Sequence, residues 1–167
     1  MRIIGVDPGT LNMGYGIIDE DKGKLELISY GVIRVSTKVP IEEKLHNLYH
    51  KLSSVMDVYK PDEVAIEEPF VAGNARTALA IGRAQTVAIL AASNRKLPVS
   101  RYSPSQVKLQ VTNYGGSSKQ QVGEMVRIQL ALDKCINSED ASDALAVAIC
   151  HLNQRHISTL ISRESMR

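Results

Sequence analysis

The spacing of the apolar residues changes at Pro40, and this change constrains the fold more than any other feature of the sequence. Before it, three apolar segments (3–6, 15–18 and 25–35) are joined by short polar connections that contain glycine. Such connections are typical of antiparallel strands in a meander. After it, apolar residues recur at helical spacing over 41–59. A chain that begins with strands and continues with a helix favours a mixed α/β sheet.

The remaining segments alternate between helix and strand. A short buried strand at 64–66 precedes an Ala-rich helix at 75–92, and the proline in Leu97-Pro98-Val99 indicates an edge strand. Three more helices are predicted. The first begins at Pro104 with Ser103 as its N-cap, the second covers 119–132, and the third covers 138–156 with Ser138 as its cap. The prediction is therefore a mixed five-stranded sheet, a three-strand antiparallel meander plus parallel strands, flanked by helices.

Length and composition bound the class of protein. With 167 residues, of which 44% are hydrophobic, the chain can bury the core of one globular domain. No apolar run reaches the ~18–20 residues of a membrane span, and Cys135 and Cys150 lack the spacing of a zinc site. We expect a cytoplasmic protein with one domain over 1–157. Residues 158–167 lack apolar periodicity and are expected to form a flexible C-terminal tail.

The charges are unevenly distributed along the chain. From Val71 to Gly123 the sequence holds seven Lys or Arg residues and no Asp or Glu. A basic half beside an acidic half suits a protein that holds a polyanion on one surface and uses carboxylates elsewhere. The alternative is a scattered set of solvated charges that forms no patch.

Carboxylates follow two predicted strands and begin the last helix. Asp7 and the pair Glu67 and Glu68 lie where apolar strands end, a place where α/β proteins often carry their chemistry. Strand alternation lets only one of the two glutamates face a common site, and it leaves open which one. Asp140 and Asp143 share a face of the last helix. The alternative roles are a turn for Asp7 and favourable helix-dipole interactions for the helical pair.

These acids together predict a metal site. Like charges beside an apolar core are costly unless a cation or a proton neutralises them. A set of oxygen ligands without nearby His or Cys favours a hard cation such as Mg²⁺ or Mn²⁺. Two such ions can activate water and stabilise the leaving oxygen of a phosphodiester.

At this point the sequence resembles a known family, the RuvC-type Holliday junction resolvases with their RNase H-like fold. The matching segments cover nearly the whole chain in order. They are Ile4-Gly5-Val6-Asp7-Pro8-Gly9-Thr10 with Gly14-Tyr15-Gly16, Ala65-Ile66-Glu67 with Phe70 and Asn74-Ala75, Gln106-Val107-Lys108, Gly116-Ser117-Ser118-Lys119-Gln120-Gln121-Val122, and Asp140-Ala141-Ser142-Asp143-Ala144-Leu145-Ala146. The resemblance implies that Asp7, Glu67, Asp140 and Asp143 are the metal ligands, and so selects Glu67 over Glu68.

The resemblance also implies an activity and partners. A homodimer would bind a four-way DNA junction and, with two Mg²⁺ per active site (or Mn²⁺ instead), cut two strands of like polarity symmetrically to leave 5′-phosphates. Lys119 would assist catalysis, and Phe70 would stack on an unpaired base. The expected DNA-binding residues are Phe70, Asn74, Arg76, Lys108, Ser117 and Lys119. A branch-migration helicase complex is the implied partner in recombination and repair.

Two positions depart from the family pattern, and other functions compete. Arg83-Ala84-Gln85-Thr86 stands where Gln-Ala-Arg-Gly is expected, and Arg76 stands where some relatives have an acid. The nearest alternative is a nuclease of the same fold that acts on RNA. A non-catalytic junction-binding module would not need all the acids. An ATP-binding protein of the actin or sugar-kinase type would need a second domain and a second phosphate loop.

Overall fold

The computed structural model describes the backbone of residues 1–68 and 75–164 and, within these ranges, every side chain except those of residues 160 and 162–164. The strands are β1 (Arg2–Asp7), β2 (Asn12–Asp21), β3 (Lys24–Arg34), β4 (Glu63–Glu67) and β5 (Val99–Tyr102). The helices are α1 (Ile41–Tyr59), α2 (Ala75–Ser93), α3 (Pro104–Thr112), α4 (Lys119–Gln129) and α5 (Glu139–Glu164).

One five-stranded sheet has the order β3-β2-β1-β4-β5. β1, β2 and β3 form the predicted antiparallel meander, whereas β4 runs parallel to β1 and β5 runs parallel to β4. Val6 pairs with Ile66 across β1 and β4, so Asp7 and Glu67, the next residues, leave the sheet side by side. The predicted sheet is confirmed.

The two faces of the sheet carry separate cores. Ile3 and Ala65 pack with α3, α4 and α5 on one face, whereas Ile4 and Ile66 pack with α1 and α2 on the other. Alternate strand residues therefore belong to alternate cores, as the pleat requires. Among the described helices, none is long and apolar enough to cross a membrane.

Two glycines let α5 approach the sheet closely. A Cβ added at Gly5 would overlap the carbonyl oxygen of Ala144, and one added at Gly14 would overlap that of Asp140. Because both contacts are with helix backbone, no side-chain rotation can relieve them. The glycines thus bring the acidic first turns of α5 against β1 and β2.

Several predicted boundaries need correction. The edge strand comprises Val99–Tyr102 and not Leu97-Pro98-Val99, because Pro98 has no N–H for the ladder and only its carbonyl accepts, from the amide of Val64 at 2.9 Å. α4 ends at Gln129, before the predicted end at 132. α5 does not end near His156 but continues to Glu164, so residues 158–164 are helical although their sequence lacks an apolar period.

The predicted caps are confirmed. Ser103 caps α3 in a capping box with Gln106 and is followed by Pro104 at the first helical position. The hydroxyl of Ser138 accepts from the amide of Ala141 at 3.4 Å. A second capping box, of Ser118 with Gln121, begins α4 and fixes the position of Lys119.

Candidate active site

Asp7 and Glu67 form the centre of the site, at the carboxyl ends of two adjacent parallel strands. Their carboxyl groups lie within hydrogen-bonding reach of each other. Burial, and then the charge of Asp143, raises the pKa of Asp7 to about 6. Burial, and then the charge of Asp7, raises the pKa of Glu67 to about 8. The protonated Glu67 therefore donates to Asp7 near neutral pH, and one proton relieves the repulsion between them.

The structure decides between the two glutamates. Glu63, Ala65 and Glu67 alternate along β4 and face α5, since Ala65 belongs to the core on that side. Glu68 points away, and its carboxylate lies 3.8 Å from the guanidinium of Arg101. Glu67 is thus the glutamate that faces the other acids.

The first turns of α5 bring Asp140 and Asp143 to this pair. The charges of both residues act on Asp7 and raise its pKa. The ammonium of Lys119, at the start of α4, lies 2.8 Å from Oδ2 of Asp143. This contact raises the pKa of Lys119, which is a cation at neutral pH.

A cavity of about 270 Å³ opens over these groups. Five of its lining residues are charged, two acids from the sheet edge among them, and the remaining lining residues are apolar. The lining comprises Asp7, Glu67, Pro104, Val107, Lys108, Lys119, Val122, Asp143 and Ala146. Carboxylates on one side and lysines from α3 and α4 on the other suit a phosphate group held by a cation and by ammonium groups.

The donor set fits a hard divalent cation, because all of its donors are carboxylate oxygens. Within the described ranges, no three His, Cys, Asp or Glu side chains are gathered tightly enough to enclose an ion as they stand. Lys119 supplies the positive charge beside Asp143 instead. A bound cation would displace the proton between Asp7 and Glu67.

The other predicted DNA-binding residues are less central. Ser117 is buried, and its hydroxyl donates to the carbonyl of Tyr114 at 2.8 Å, so it orders the loop between α3 and α4. Arg76 lies exposed in the first turn of α2, outside the cavity lining. Phe70 and Asn74 lie outside the described residues. Their roles stay predictions.

The sequence reasoning missed a buried polar cluster at the other end of β4. His151 and Glu63 hydrogen-bond there at 2.7 Å. The sequence signal for this cluster was one histidine, His151, within the apolar stretch of α5. An ordinary core histidine would give the same signal.

Comparisons with known proteins agree with this geometry. The family model described as crossover junction endodeoxyribonuclease RuvC matches residues 3–151. A protein of that description from Dehalococcoides mccartyi is 48% identical over 98% of this chain and 98% of its own length. The structure of Thermus thermophilus RuvC superposes with a TM-score of 0.88 at 31% identity, covering 95% of this chain and 98% of that one. A second structure, of T. thermophilus RuvC in complex with Holliday junction substrate, gives a TM-score of 0.89 at 29% identity and covers 95% of this chain and 97% of that one.

Proposed function

Because this chain belongs to the RuvC family of crossover junction endodeoxyribonucleases, we propose from its own residues how it cuts DNA. The protein is a Holliday junction resolvase with an RNase H-like α/β fold, a nuclease of recombination and repair. Nucleases of this family depend on a metal ion. The identity of the ion, the ligands and the DNA contacts are the substance of the proposal.

One observation carries the proposed mechanism. Asp7 and Glu67 lie side by side at the carboxyl ends of adjacent parallel strands, and Asp143 and Lys119 line the same cavity. We assign Asp7, Glu67, Asp140 and Asp143 as ligands of two Mg²⁺ ions, for which Mn²⁺ substitutes. Such ions supply an activated water and stabilise the charge that develops on the phosphate oxygens.

The side chains of this chain prepare the site for that chemistry. Loss of the proton from Glu67 frees both central carboxylates to hold cations. Lys119 would then be available to the scissile phosphate, because Asp143 would be neutralised by the metal that it helps to hold. Its ammonium would stabilise negative charge in the transition state. The result is hydrolysis that leaves a 5′-phosphate.

The acid-free stretch from Val71 to Gly123 supplies the DNA surface. Lys108 and Lys119 line the cavity and would contact the phosphates that flank the cut. Arg76, Asn74 and Phe70 precede or begin α2 in the sequence and would reach the junction centre, where Phe70 would stack on a base. Ser117 would act by shaping the loop that presents Lys119.

We propose that two copies associate through α2, so that two sites cut strands of like polarity. Leu79 and Leu90 are more than half exposed on this helix. Gly82 lies between them along the helix, and a Cβ added there would meet nothing within 4 Å, so a second helix can approach. The dimer would work in the bacterial cytoplasm with a branch-migration helicase complex.

The test is cleavage of a mobile synthetic four-way junction with Mg²⁺ or with EDTA, beside linear duplex and RNA/DNA hybrid. We expect paired, symmetric, Mg²⁺-dependent nicks on the junction alone, and a loss of cutting but not of junction binding for Asp7→Asn. Cleavage of the hybrid instead would indicate that the substrate contains RNA. Junction binding without cutting under any metal would contradict the proposed mechanism.

A further inference from the structure

A buried chain of hydrogen bonds ties α5 to two strands, and it runs from Tyr102, beside Glu67 at the cavity end of the sheet, to Glu63 at the opposite end of β4. The hydroxyl of Tyr102 lies 2.7 Å from Nδ1 of His151, and Nε2 of His151 lies 2.7 Å from Oε2 of Glu63. The guanidinium of Arg155 pairs with the other oxygen of Glu63. His151 is 3% exposed. The described side chains leave no buried nitrogen or oxygen without a partner.

The pairing pattern settles the proton positions. Glu63 accepts from Arg155 and is therefore a carboxylate, so Nε2 of His151 must carry hydrogen and donate to it. Nδ1 then accepts from the Tyr102 hydroxyl. Burial lowers the pKa of His151 and favours this neutral imidazole. One histidine tautomer thus connects β5, α5 and β4.

The same two elements also meet at the catalytic end. Glu63 and Glu67 lie at the two ends of β4 and face α5, whereas Asp143 and His151 lie two helical steps of four residues apart on α5. Tyr102 is the strand partner of Glu67. The polar chain therefore joins α5 to β4 at one end of the interval whose other end places Asp143 near Glu67.

We propose that His151 is a positioning residue, which through Tyr102 and Glu63 holds α5 where its acids complete the metal site. The inference rests on the proposed function, since it concerns the ligands assigned there. Groups that hydrogen-bond directly to metal ligands contribute about 10–100-fold to metal affinity. Because His151 acts on the ligands through the position of α5, its effect should lie at the lower end of this range. The glycine contacts set how closely α5 approaches the sheet, and the hydrogen bonds of His151 add a directional constraint along β4 that apolar contacts lack.

The test measures Mn²⁺ binding to the DNA-free protein by the electron paramagnetic resonance signal of free Mn²⁺. We expect His151→Leu to weaken binding by about tenfold. His151→Gln, whose amide can accept from Tyr102 and donate to Glu63, should restore most of it. Tyr102→Phe, which removes one hydroxyl, should have a smaller effect and serves if His151→Leu does not fold.

Arg95→Leu is the matched control. Arg95, in the turn after α2, contacts Asp57 and Ser53 of α1 on the opposite face of the sheet. The Arg95→Leu variant should have a lower melting temperature and an unchanged Mn²⁺ affinity. Equal Mn²⁺ affinity in folded His151→Leu and wild type, or equal weakening by Arg95→Leu, would overturn the inference. Mn²⁺ binding that is unchanged by Asp7→Asn would instead count against the proposed metal ligands.

Discussion

The ammonium of Lys119 and the carboxylate of Asp143 lie 2.8 Å apart and join the start of α4 to the first turns of α5. The contact places a cation among the buried acids of the site. It also holds Lys119 at the wall of the cavity where we place the scissile phosphate. Under the proposed mechanism, Lys119 would exchange Asp143 for a phosphate group once a metal ion is bound.

Lys119→Met should lower the rate of junction cleavage by about 10²-fold or more, the effect of removing one donor to developing negative charge. Junction affinity should change little, because one phosphate contact among several is lost. Single-turnover cleavage and binding in EDTA measure the two effects. Lys24→Met is the control, since Lys24 begins β3 at the other end of the sheet and is exposed. Undiminished cleavage by Lys119→Met would remove this residue from the mechanism.

Asp7→Asn should stabilise the metal-free protein at pH 8. The folded state raises the pKa of Asp7 from 3.8 to about 6, so its ionised form is disfavoured on folding. Replacing the charge should increase the free energy of unfolding by roughly 1–3 kcal/mol in EDTA. The gain should shrink toward pH 5, where Asp7 is already protonated. Denaturant unfolding measures it, with exposed Asp21→Asn as control, and a destabilised Asp7→Asn at pH 8 would contradict the expectation.

Stability and metal affinity should respond to pH in opposite directions. The raised pKa values of Asp7 and Glu67 mean that the folded protein binds more protons than the unfolded chain between about pH 4 and pH 8. Metal-free stability contributed by this pair is therefore lost as pH rises. Metal binding expels the same protons, so the Mg²⁺ concentration for half-maximal cleavage should fall from pH 6 to pH 8. Titrations at pH 6, 7 and 8 test this, and a constant requirement would exclude the shared proton.

Gly14→Ala should impair both stability and the metal site. Its Cβ would overlap the carbonyl oxygen of Asp140 and push the first turns of α5 away from the sheet. We expect a loss of about 1–3 kcal/mol in unfolding free energy and a higher metal requirement for cleavage. Gly115→Ala is the control, because its Cβ would lie 3.7 Å from the nearest atom, the carbonyl oxygen of Ser105. A Gly14→Ala protein with wild-type metal dependence would show that α5 tolerates the displacement.

Much of the fold could be predicted because its signals are local. Ser103 before Pro104 marks a helix start through its own side chain, and the apolar period over 41–59 needs no distant partner. The end of α5 could not be predicted in this way. Residues 158–164 carry no apolar stripe, so no sequence pattern indicates that the helix continues. The Ser158 hydroxyl donates to the Gln154 carbonyl at 2.9 Å in this part of the helix.

The candidate site was predictable in its residue types but not in its orientation. The acids were visible as carboxylates after strands, whereas the choice of Glu67 over Glu68 depends on which core receives Ala65, a tertiary property. His151 and Glu63 are 88 residues apart in sequence, and no local pattern pairs them. Ser117 lies in a Gly- and Ser-rich segment that predicts an exposed loop, yet the residue is buried.

The two ends of β4 meet α5 over nearly equal lengths. The four steps from Glu63 to Glu67 along the strand span about 13 Å at ~3.3 Å each. The eight steps from Asp143 to His151 along the helix span about 12 Å at ~1.5 Å each. The two lengths match, so both ends of β4 can meet α5 at once. An insertion or deletion of one residue in either element would prevent Glu63 from contacting His151 while Glu67 faces Asp143. Natural variation in chain length among relatives should therefore fall elsewhere, as in the exposed turn at Lys22 and Gly23 between β2 and β3.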